Sequence, residues 1–145
     1  MNDFSYLKAK ASIKGGKGAT GLYGNAFFYQ KPEGVLAVIA VWGLPKENTT
    51  GFFAVHIHEG GNCEGEGFTE TGGHYNPSGR LHPEHSGDLP PLLSCDGTAY
   101  MQVLTNRFSV KDIIGRSLVI HSGPDDFTSQ PAGNPGIKIA CGVIS

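Results

Sequence analysis

Hydrophobic and polar positions alternate along several short stretches of the chain, which is the pattern of strands with one buried face. In the first stretch, Leu7, Ala9, Ala11 and Ile13 alternate with polar neighbours. No stretch repeats hydrophobic residues every 3.6 positions over the length of an ordinary helix, although "SVKDIIG" at 109–115 has room for one helical turn. The pattern therefore predicts a protein built from strands.

The predicted strands are bounded by turn residues such as "KPEG" at 31–34. They are "YLKAKASIKG" (6–15), "YGNAFFYQ" (23–30), "VLAVIAVWG" (35–43), "GFFAVHIH" (51–58), "GTAYMQVLT" (97–105), "RSLVIHS" (116–122) and "IKIACGVI" (137–144), with "DLPPLL" (88–93) as a short strand weakened by its prolines. Up to eight antiparallel strands in one domain, residues 1–145, predict an all-β Greek-key sandwich or flattened barrel. The segments 59–93 and 122–136 break the strand pattern and are predicted to be long functional loops.

Composition narrows the function classes. The 22 glycines and nine prolines fit a fold with many turns, and a net charge of −2 without a basic patch argues against nucleic-acid or anionic-membrane binding. No apolar run approaches the roughly 20 residues that span a bilayer. The beginning, "MNDFSYLKAK", has no apolar segment of the signal-peptide type, so nothing in it predicts export, and the compartment is left open.

Two histidines in "FFAVHIHEGGNC" (52–63) give the first chemical signal. Because side chains alternate along a strand, His56 and His58 point to one face and Ile57 to the other. Two neutral imidazoles side by side suit a cation better than a hydrophobic core. All six histidines lie in or beside the places where the predicted loops leave strands, namely His56, His58, His74, His82, His85 and His121.

The loop "GGHYNPSGRLHPEHSGDLPP" (72–91) offers three histidines and a carboxylate, His74, His82, His85 and Asp88. Three imidazole nitrogens and one carboxylate oxygen form a tetrahedral set that zinc accepts. A closed set of this kind is structural and would keep so polar a loop ordered. The alternative is a solvated loop with surface histidines.

A second set consists of nitrogen ligands alone. His56 and His58 lie at the end of one predicted strand and His121 at the end of another, and a loop histidine completes four imidazoles. All-nitrogen, roughly square-planar coordination is typical of copper(II). The sequence thus predicts two metals, copper and zinc.

Three cysteines occur, none in a CxxC pair, which excludes a cysteine-rich zinc knuckle or a thioredoxin motif. Cys63 follows the histidine pair and Cys141 lies in the last predicted strand. Spacing leaves two readings open, a disulfide between them or three reduced thiols. Cys95 lies near the start of a strand and is expected to be a reduced thiol in either case.

Four motifs, "GFFAVHIHEGGNC", "GGHYNPSGRLHPEHSGDLPPL", "IIGRSLVIHSGPDD" and "GNPGIKIACGVI", closely resemble those of the Cu,Zn superoxide dismutase family, in bacterial-type form. The likeness spans nearly the whole chain. It implies conversion of superoxide to dioxygen and hydrogen peroxide by redox cycling of a copper ion beside a structural zinc. The implied roles are copper ligation by His56, His58 and His121, a metal-bridging His74, zinc ligation by His82, His85 and Asp88, orientation of ligands by Asp125, and a Cys63–Cys141 disulfide.

One position departs from the family. The resemblance places an arginine beside the copper, three residues before the last cysteine, where this chain has Lys138. Lysine keeps the charge that attracts an anion but lacks the rigid fork of donors. The resemblance gives Lys138 and the bridging His74 catalytic roles, the first in attracting superoxide and the second in delivering a proton.

Other functions are weighed against this one. The nearest alternative is a weakly active or non-catalytic copper/zinc-binding protein on the same fold, which the lysine at 138 leaves open. A zinc hydrolase would need an open water position and a general base, and no glutamate is placed for that. A purely structural β-sandwich would not need clustered histidines. Pairing into a homodimer is also left open by the sequence.

Overall fold

A computed structural model describes residues 7–145, so Tyr6 of the first predicted strand lies outside the described residues. The strands are β1 (Lys8–Gly15), β2 (Tyr23–Gln30), β3 (Val35–Trp42), β4 (Phe52–Phe53), β5 (Val55–His58), β6 (Leu92–Leu93), β7 (Ala99–Thr105), β8 (Ser117–His121) and β9 (Lys138–Val143). A kinked 3₁₀ segment covers Glu66–Thr71, and one helical turn, α1, covers Val110–Ile113.

The strands form a curled antiparallel sheet in the order β5-β8-β9-β1-β2-β3-β7, with β4 and β6 paired beside it. Strands that are distant in the chain are neighbours at β5–β8, β9–β1 and β3–β7, which are the crossings of a Greek key. The predicted all-β barrel is therefore confirmed.

The fourth predicted strand, 51–58, is divided in two. Phe52 and Phe53 pair with β6, whereas Val55–His58 pairs with β8. At the change of partner, the amide of Ala54 donates to the carbonyl of Gly123 at 2.9 Å and its carbonyl accepts from the amide of His121 at 2.9 Å. The stretch is divided because its two parts pair with different strands. The alternation of hydrophobic and polar residues in the sequence does not reveal this change of partner.

Burial differs between the two halves of the sheet. Buried and exposed positions alternate along β1 and most of β2, whereas β5 and β8 are buried at every position. Val55 and Ile57 pack in the hydrophobic core, so His56 and His58 face away from it and are covered by the long loops instead. This half of the barrel carries the histidines.

The loop 59–93 contains local structure that the sequence pattern does not predict. It contains the 3₁₀ segment, whose short sequence EGFTET has no hydrophobic pattern that would predict it. Its backbone also bonds to β5, since Ile57 donates to the Gly87 carbonyl at 2.8 Å and accepts from the Tyr75 amide at 2.8 Å. These bonds hold a polar loop over the strand that bears His56 and His58.

The predicted helical turn and the predicted short strand are both present. The helical turn expected within 109–115 forms as α1, where the Ser109 side chain accepts from the Asp112 amide and the Asp112 side chain accepts from the Ser109 amide. The strand expected at 88–93 is reduced to Leu92 and Leu93, as its prolines predict. Among the residues that the structure describes, no helix is long and apolar enough to cross a membrane.

A disulfide joins Cys63 to Cys141 with a Cα–Cα distance of 5.8 Å. The bond ties the beginning of the first long loop to β9. The sequence left open a disulfide or reduced thiols at these positions, and the structure confirms the disulfide. Cys95 is free and exposed, as expected.

Replacing Cys63 by serine should lower the free energy of unfolding by roughly 4 kcal/mol, because the bond closes a loop 78 residues apart in sequence. Denaturant titration of the metal-free protein measures this loss, and Cys95→Ser, at the exposed free thiol, is the matched control. The Cys63 variant should also bind zinc more weakly, since the loop loses its anchor. Equal unfolding and zinc affinity in both variants would contradict the anchoring role.

Candidate metal centre

Backbone pairing between β5 and the first long loop sets up the centre. Isolated β-bridges join His58 to His74 and His56 to Asp88. On the other side, β8 pairs with β5, and its last residue, His121, lies opposite Lys138 in β9. Residues far apart in sequence are thereby brought to one end of the barrel.

The first cluster consists of four buried histidines whose ligating atoms lie within 4.8 Å of one another, His56, His58, His74 and His121. Opposite ligands of a metal bound at roughly 2 Å stand about 4 Å apart, so the spacing fits four nitrogens around one ion. His56 Nδ1, His58 Nε2, His74 Nε2 and His121 Nδ1 are buried and make no hydrogen bond with any described residue.

The second cluster lies on the other side of the His74 ring. His74 Nδ1 is 2.8 Å from Asp88 Oδ1 and 3.1 Å from His85 Nδ1, and Asp88 Oδ2 is 3.0 Å from His82 Nδ1 and 3.3 Å from His85 Nδ1. Ligand atoms of a tetrahedral ion with bonds of about 2 Å are roughly 3.3 Å apart. His82 Nδ1 makes no hydrogen bond to that carboxylate despite its proximity, which is the arrangement expected of two atoms facing one cation.

His56 also lies near the second cluster, because its ring stacks on that of His74 with centroids 3.9 Å apart. Its Nε2 is already bonded to Asp125 at 2.8 Å, so only Nδ1 is free, and that atom belongs with the first cluster. His85 completes the second cluster through its Nδ1 distances. The structure therefore brings all seven predicted ligand residues together in two adjoining sets that share His74.

Burial keeps two imidazoles of the first set, those of His58 and His121, neutral. Burial lowers the pKa of His58 to about 3, and burial together with repulsion from His56 and His58 lowers the pKa of His121 to about 2. Neutral imidazoles offer lone pairs to a metal, and four buried nitrogens without partners would otherwise be costly. Both observations fit a bound cation at this cluster.

Asp125 connects the two clusters. Its Oδ2 accepts from His56 Nε2 at 2.8 Å and its Oδ1 accepts from His82 Nε2 at 2.7 Å. Burial alone would raise the pKa of Asp125, but these hydrogen bonds, with one from the Phe127 amide, lower it to about 2. The resulting carboxylate fixes the orientation of both rings and leaves each Nδ1 free.

Gly133 makes room for this contact. Its φ is 82°, which favours glycine, and a Cβ there would lie 2.1 Å from Asp125 Oδ1 and 2.6 Å from His82 Nε2. The glycine in "AGNPG" is thus required by close approach as well as by its backbone conformation.

Two polar side chains near His82 and His85 escaped the sequence analysis. Gln130 accepts from the His82 amide at 2.9 Å and donates to the His82 carbonyl at 2.7 Å, so one side chain holds both sides of that residue's backbone. The Arg107 guanidinium donates to the carbonyls of Pro83 at 2.6 Å and His85 at 3.3 Å. Neither residue has a sequence signal, because each acts on the backbone of a distant segment.

Lys138 is held in place more firmly than a free surface lysine. Its ammonium donates to Thr71 Oγ1 at 2.8 Å and to the Gly72 carbonyl at 2.9 Å, and it lies 3.5 Å from the Phe68 carbonyl. The Gly72 carbonyl also bonds to His58 Nδ1 at 2.8 Å, so one carbonyl separates the positive charge from the first cluster. Partial burial lowers the pKa of Lys138.

Comparison with known proteins agrees with this geometry. Residues 22–144 match the family described as Copper/zinc superoxide dismutase. Cu-Zn superoxide dismutase 2 of Aquifex aeolicus is 40% identical over 153 residues, covering 95% of this chain and 86% of that protein. The Cu-Zn superoxide dismutase of Caulobacter vibrioides is 35% identical, covering 94% and 84%, and that of Deinococcus radiodurans is 35% identical, covering 83% and 76%.

Replacing Gln130 by methionine, which has a similar length but no amide, should weaken zinc binding about tenfold, because His82 loses both backbone contacts. Competition with a colorimetric chelator measures the affinity. The control is Gln102→Met, since the Gln102 amide bonds only to the Tyr100 hydroxyl among the described side chains. Parent-like zinc affinity in the Gln130 variant would contradict the role given to this residue.

Proposed function

This chain belongs to the copper/zinc superoxide dismutase family, and from that membership we propose that its two histidine clusters hold one copper and one zinc ion for the dismutation of superoxide. It is an oxidoreductase that acts on superoxide and yields dioxygen and hydrogen peroxide. The observation that carries the proposal is the sharing of His74 between two buried sets of ligand atoms, one of nitrogens alone and one with a carboxylate.

The donor sets support a copper ion in the first cluster and a zinc ion in the second. The four imidazoles of the first cluster suit copper, and the three imidazoles with Asp88 suit zinc. Copper, when bound, supplies the one-electron redox chemistry, and zinc does not change oxidation state. The residues of the protein have three proposed roles: they set the geometry of the ligands, they deliver a proton to the product, and they attract superoxide.

His74 is the residue proposed to handle the proton. Its Nδ1 faces the second cluster, where it lies 2.8 Å from Asp88, and its Nε2 faces the first cluster without a hydrogen-bond partner among the described residues. An imidazole anchored at one nitrogen can hold a proton at the other without turning. His74 Nε2 would hold either the copper ion or, when it is not bound to that ion, a proton taken up from solvent, and it would give this proton to the oxygen anion that the reduction of superoxide yields.

Lys138 is proposed to attract the substrate. Superoxide is an anion, and a net charge of −2 gives the chain no general attraction for it. A fixed ammonium one carbonyl away from His58 provides a local positive potential at the first cluster. Its bonds to the 3₁₀ segment hold the charge in place, which partly replaces the rigidity of an arginine fork.

Elemental analysis after loading with both metals should give one copper and one zinc per chain, and the loaded protein should consume superoxide. His121→Ala should lose copper and activity but keep zinc, whereas His85→Ala should lose zinc, because each belongs to one cluster only. Less than about half an equivalent of copper in the loaded parent would contradict the copper site. A loaded parent without turnover would instead identify a metal-binding protein that is not a catalyst.

Variants at Lys138 separate charge from geometry. Lys138→Arg should match or exceed the parent rate, Lys138→Ala should be about tenfold slower, and Lys138→Glu should be slower still, since only the first keeps the attraction. Pulse radiolysis at increasing ionic strength measures the effect. Salt should slow the parent and the Arg variant, speed the Glu variant, and affect the Ala variant least.

Thr71→Val is the matched control, because it removes one contact of the Lys138 ammonium while leaving its charge. It should keep the salt slope of the parent. Equal rates and slopes across the four proteins with different residues at 138 would show that this position does not guide the substrate.

A further inference from the structure

The outward side of β2, β3 and β7 carries exposed aromatic rings and a leucine. We call this set the aromatic face; its members are Tyr23, Phe27, Tyr29, Trp42, Tyr100 and Leu104. Half-buried apolar side chains of β3 lie between them, such as Val38, which is opposite Phe27. The three strands lie at the other end of the sheet order from β5 and β8, so the metal centre does not account for this face.

A row of lysines borders the aromatic face on β1. Lys8, Lys10 and Lys14 are exposed there, and we call them the lysine row. The strand register places them opposite three aromatic residues of β2, in the order Tyr29, Phe27 and Tyr23. In the sequence these lysines are separated by residues that the fold buries, so they form no basic run. Alternation along the strand collects them on one side.

Acidic residues are absent from the four strands β1, β2, β3 and β7. Each of the 13 acidic residues of the chain lies outside them, whereas three of the 11 basic residues form the lysine row. Glu64 of the first long loop lies beside Lys10 and Lys14 and offsets only part of their charge. A net charge of −2 argues against an anionic partner for the chain as a whole, but the charge is unevenly distributed, and this side is positive.

The rings of the aromatic face pack on one another. Tyr23 stacks on Trp42 with centroids 5.5 Å apart, and Phe27 lies beside Tyr29 at 6.5 Å. Rings that are already stacked offer less surface to the bases of a nucleic acid, which bind by stacking. Tyrosine and tryptophan, with an apolar body and a polar tip, are enriched where a membrane meets water. Leu104, 53% exposed, adds aliphatic surface of the same use.

A hollow lies where the lysine row meets the aromatic face. It has a volume of about 360 Å³, and its lining includes Lys8, Lys10, Phe27 and Tyr29. Two ammonium groups beside an apolar wall match a phosphate group that is joined to hydrocarbon, because the charges meet the phosphate and the lysine stems and rings meet the chain. A phospholipid headgroup has this chemistry.

We propose that the lysine row and the aromatic face together dock the protein on a lipid surface with anionic headgroups. The ammonium groups of the row lie among the phosphates, and Tyr23, Trp42 and Leu104 enter the boundary between headgroups and acyl chains. Each lysine near such a surface strengthens binding about fivefold, so three give a reversible attachment rather than a permanent anchor.

Trp42 reports directly on this surface, because it is the one tryptophan of the chain. The metal-loaded protein is mixed at low ionic strength with vesicles of phosphatidylcholine alone or with an equal part of phosphatidylglycerol. Anionic vesicles should carry the protein down on centrifugation and shift Trp42 emission to the blue, and brominated acyl chains should quench that emission. Neutral vesicles should bind about 100-fold more weakly, and salt should release the protein from the anionic ones.

Two triple variants of equal net charge test the lysine row. Replacing Lys8, Lys10 and Lys14 by glutamine should weaken binding to anionic vesicles about 100-fold. The matched control replaces three exposed basic residues outside the four strands by glutamine and should bind like the parent; they are Lys46, Arg80 and Lys111. All six positions are exposed, so both variants should keep the thermal unfolding midpoint of the parent.

A second pair of variants tests the aromatic face. Leu104→Ser should weaken binding about tenfold, because an apolar side chain is lost from the boundary between headgroups and acyl chains. Leu93→Ser, at a leucine 59% exposed on β6, is the matched control and should bind like the parent.

A parent that does not bind anionic vesicles at low ionic strength overturns the proposal, as does equal binding to neutral vesicles. Binding that the Lys8, Lys10 and Lys14 variant or Leu104→Ser keeps in full also overturns it. So does binding that leaves Trp42 emission and its quenching by bromine unchanged, since another surface would then touch the lipid. Trp42 quenching by a single-stranded oligonucleotide, without vesicle binding, would assign the face to nucleic acid and overturn the proposal too.

Discussion

The geometry of the two candidate ligand clusters depends on one carboxylate. Asp125 accepts hydrogen bonds from one ring of each cluster, and in doing so it determines which nitrogen of His56 and of His82 remains free. Because its pKa is lowered to about 2, this anion is present at any ordinary pH. The second long loop is positioned around it, with Gly133 packed against the carboxylate. Three segments that share no local sequence are thus fixed relative to one another by a single side chain.

The barrel anchors the long loops, which could not become ordered by themselves. A polar, glycine-rich segment cannot bury enough apolar surface to order itself. Here the loop over β5 is held by backbone hydrogen bonds to Ile57, by the disulfide at Cys63, and by Gln130 and Arg107 on the backbone around His82 and His85. The hydrophobic side of β5 faces the core and its histidine side faces the loops. One strand therefore serves both as core and as ligand platform.

The two halves of the sheet differ in how their outward faces are covered. On the half that contains β5 and β8, loops cover the outward face and create a buried, polar site with one nearby ammonium, that of Lys138. On the half that contains β2, β3 and β7, no loop among the described residues covers the outward face, and its aromatic side chains meet solvent.

The sequence by itself determined the strand pattern, the all-β class and the residue types of both ligand sets, because strand periodicity and metal chemistry are local properties of side chains. Resemblance to the family added the shared role of His74, the part of Asp125 and the pairing of Cys63 with Cys141. Only the tertiary structure decided the division of 51–58 between two neighbours, the 3₁₀ segment, the contacts of Gln130 and Arg107, and the three oxygens around Lys138. Each of these depends on backbone groups of distant segments, whose positions are set by how the chain packs and leave no pattern in the sequence.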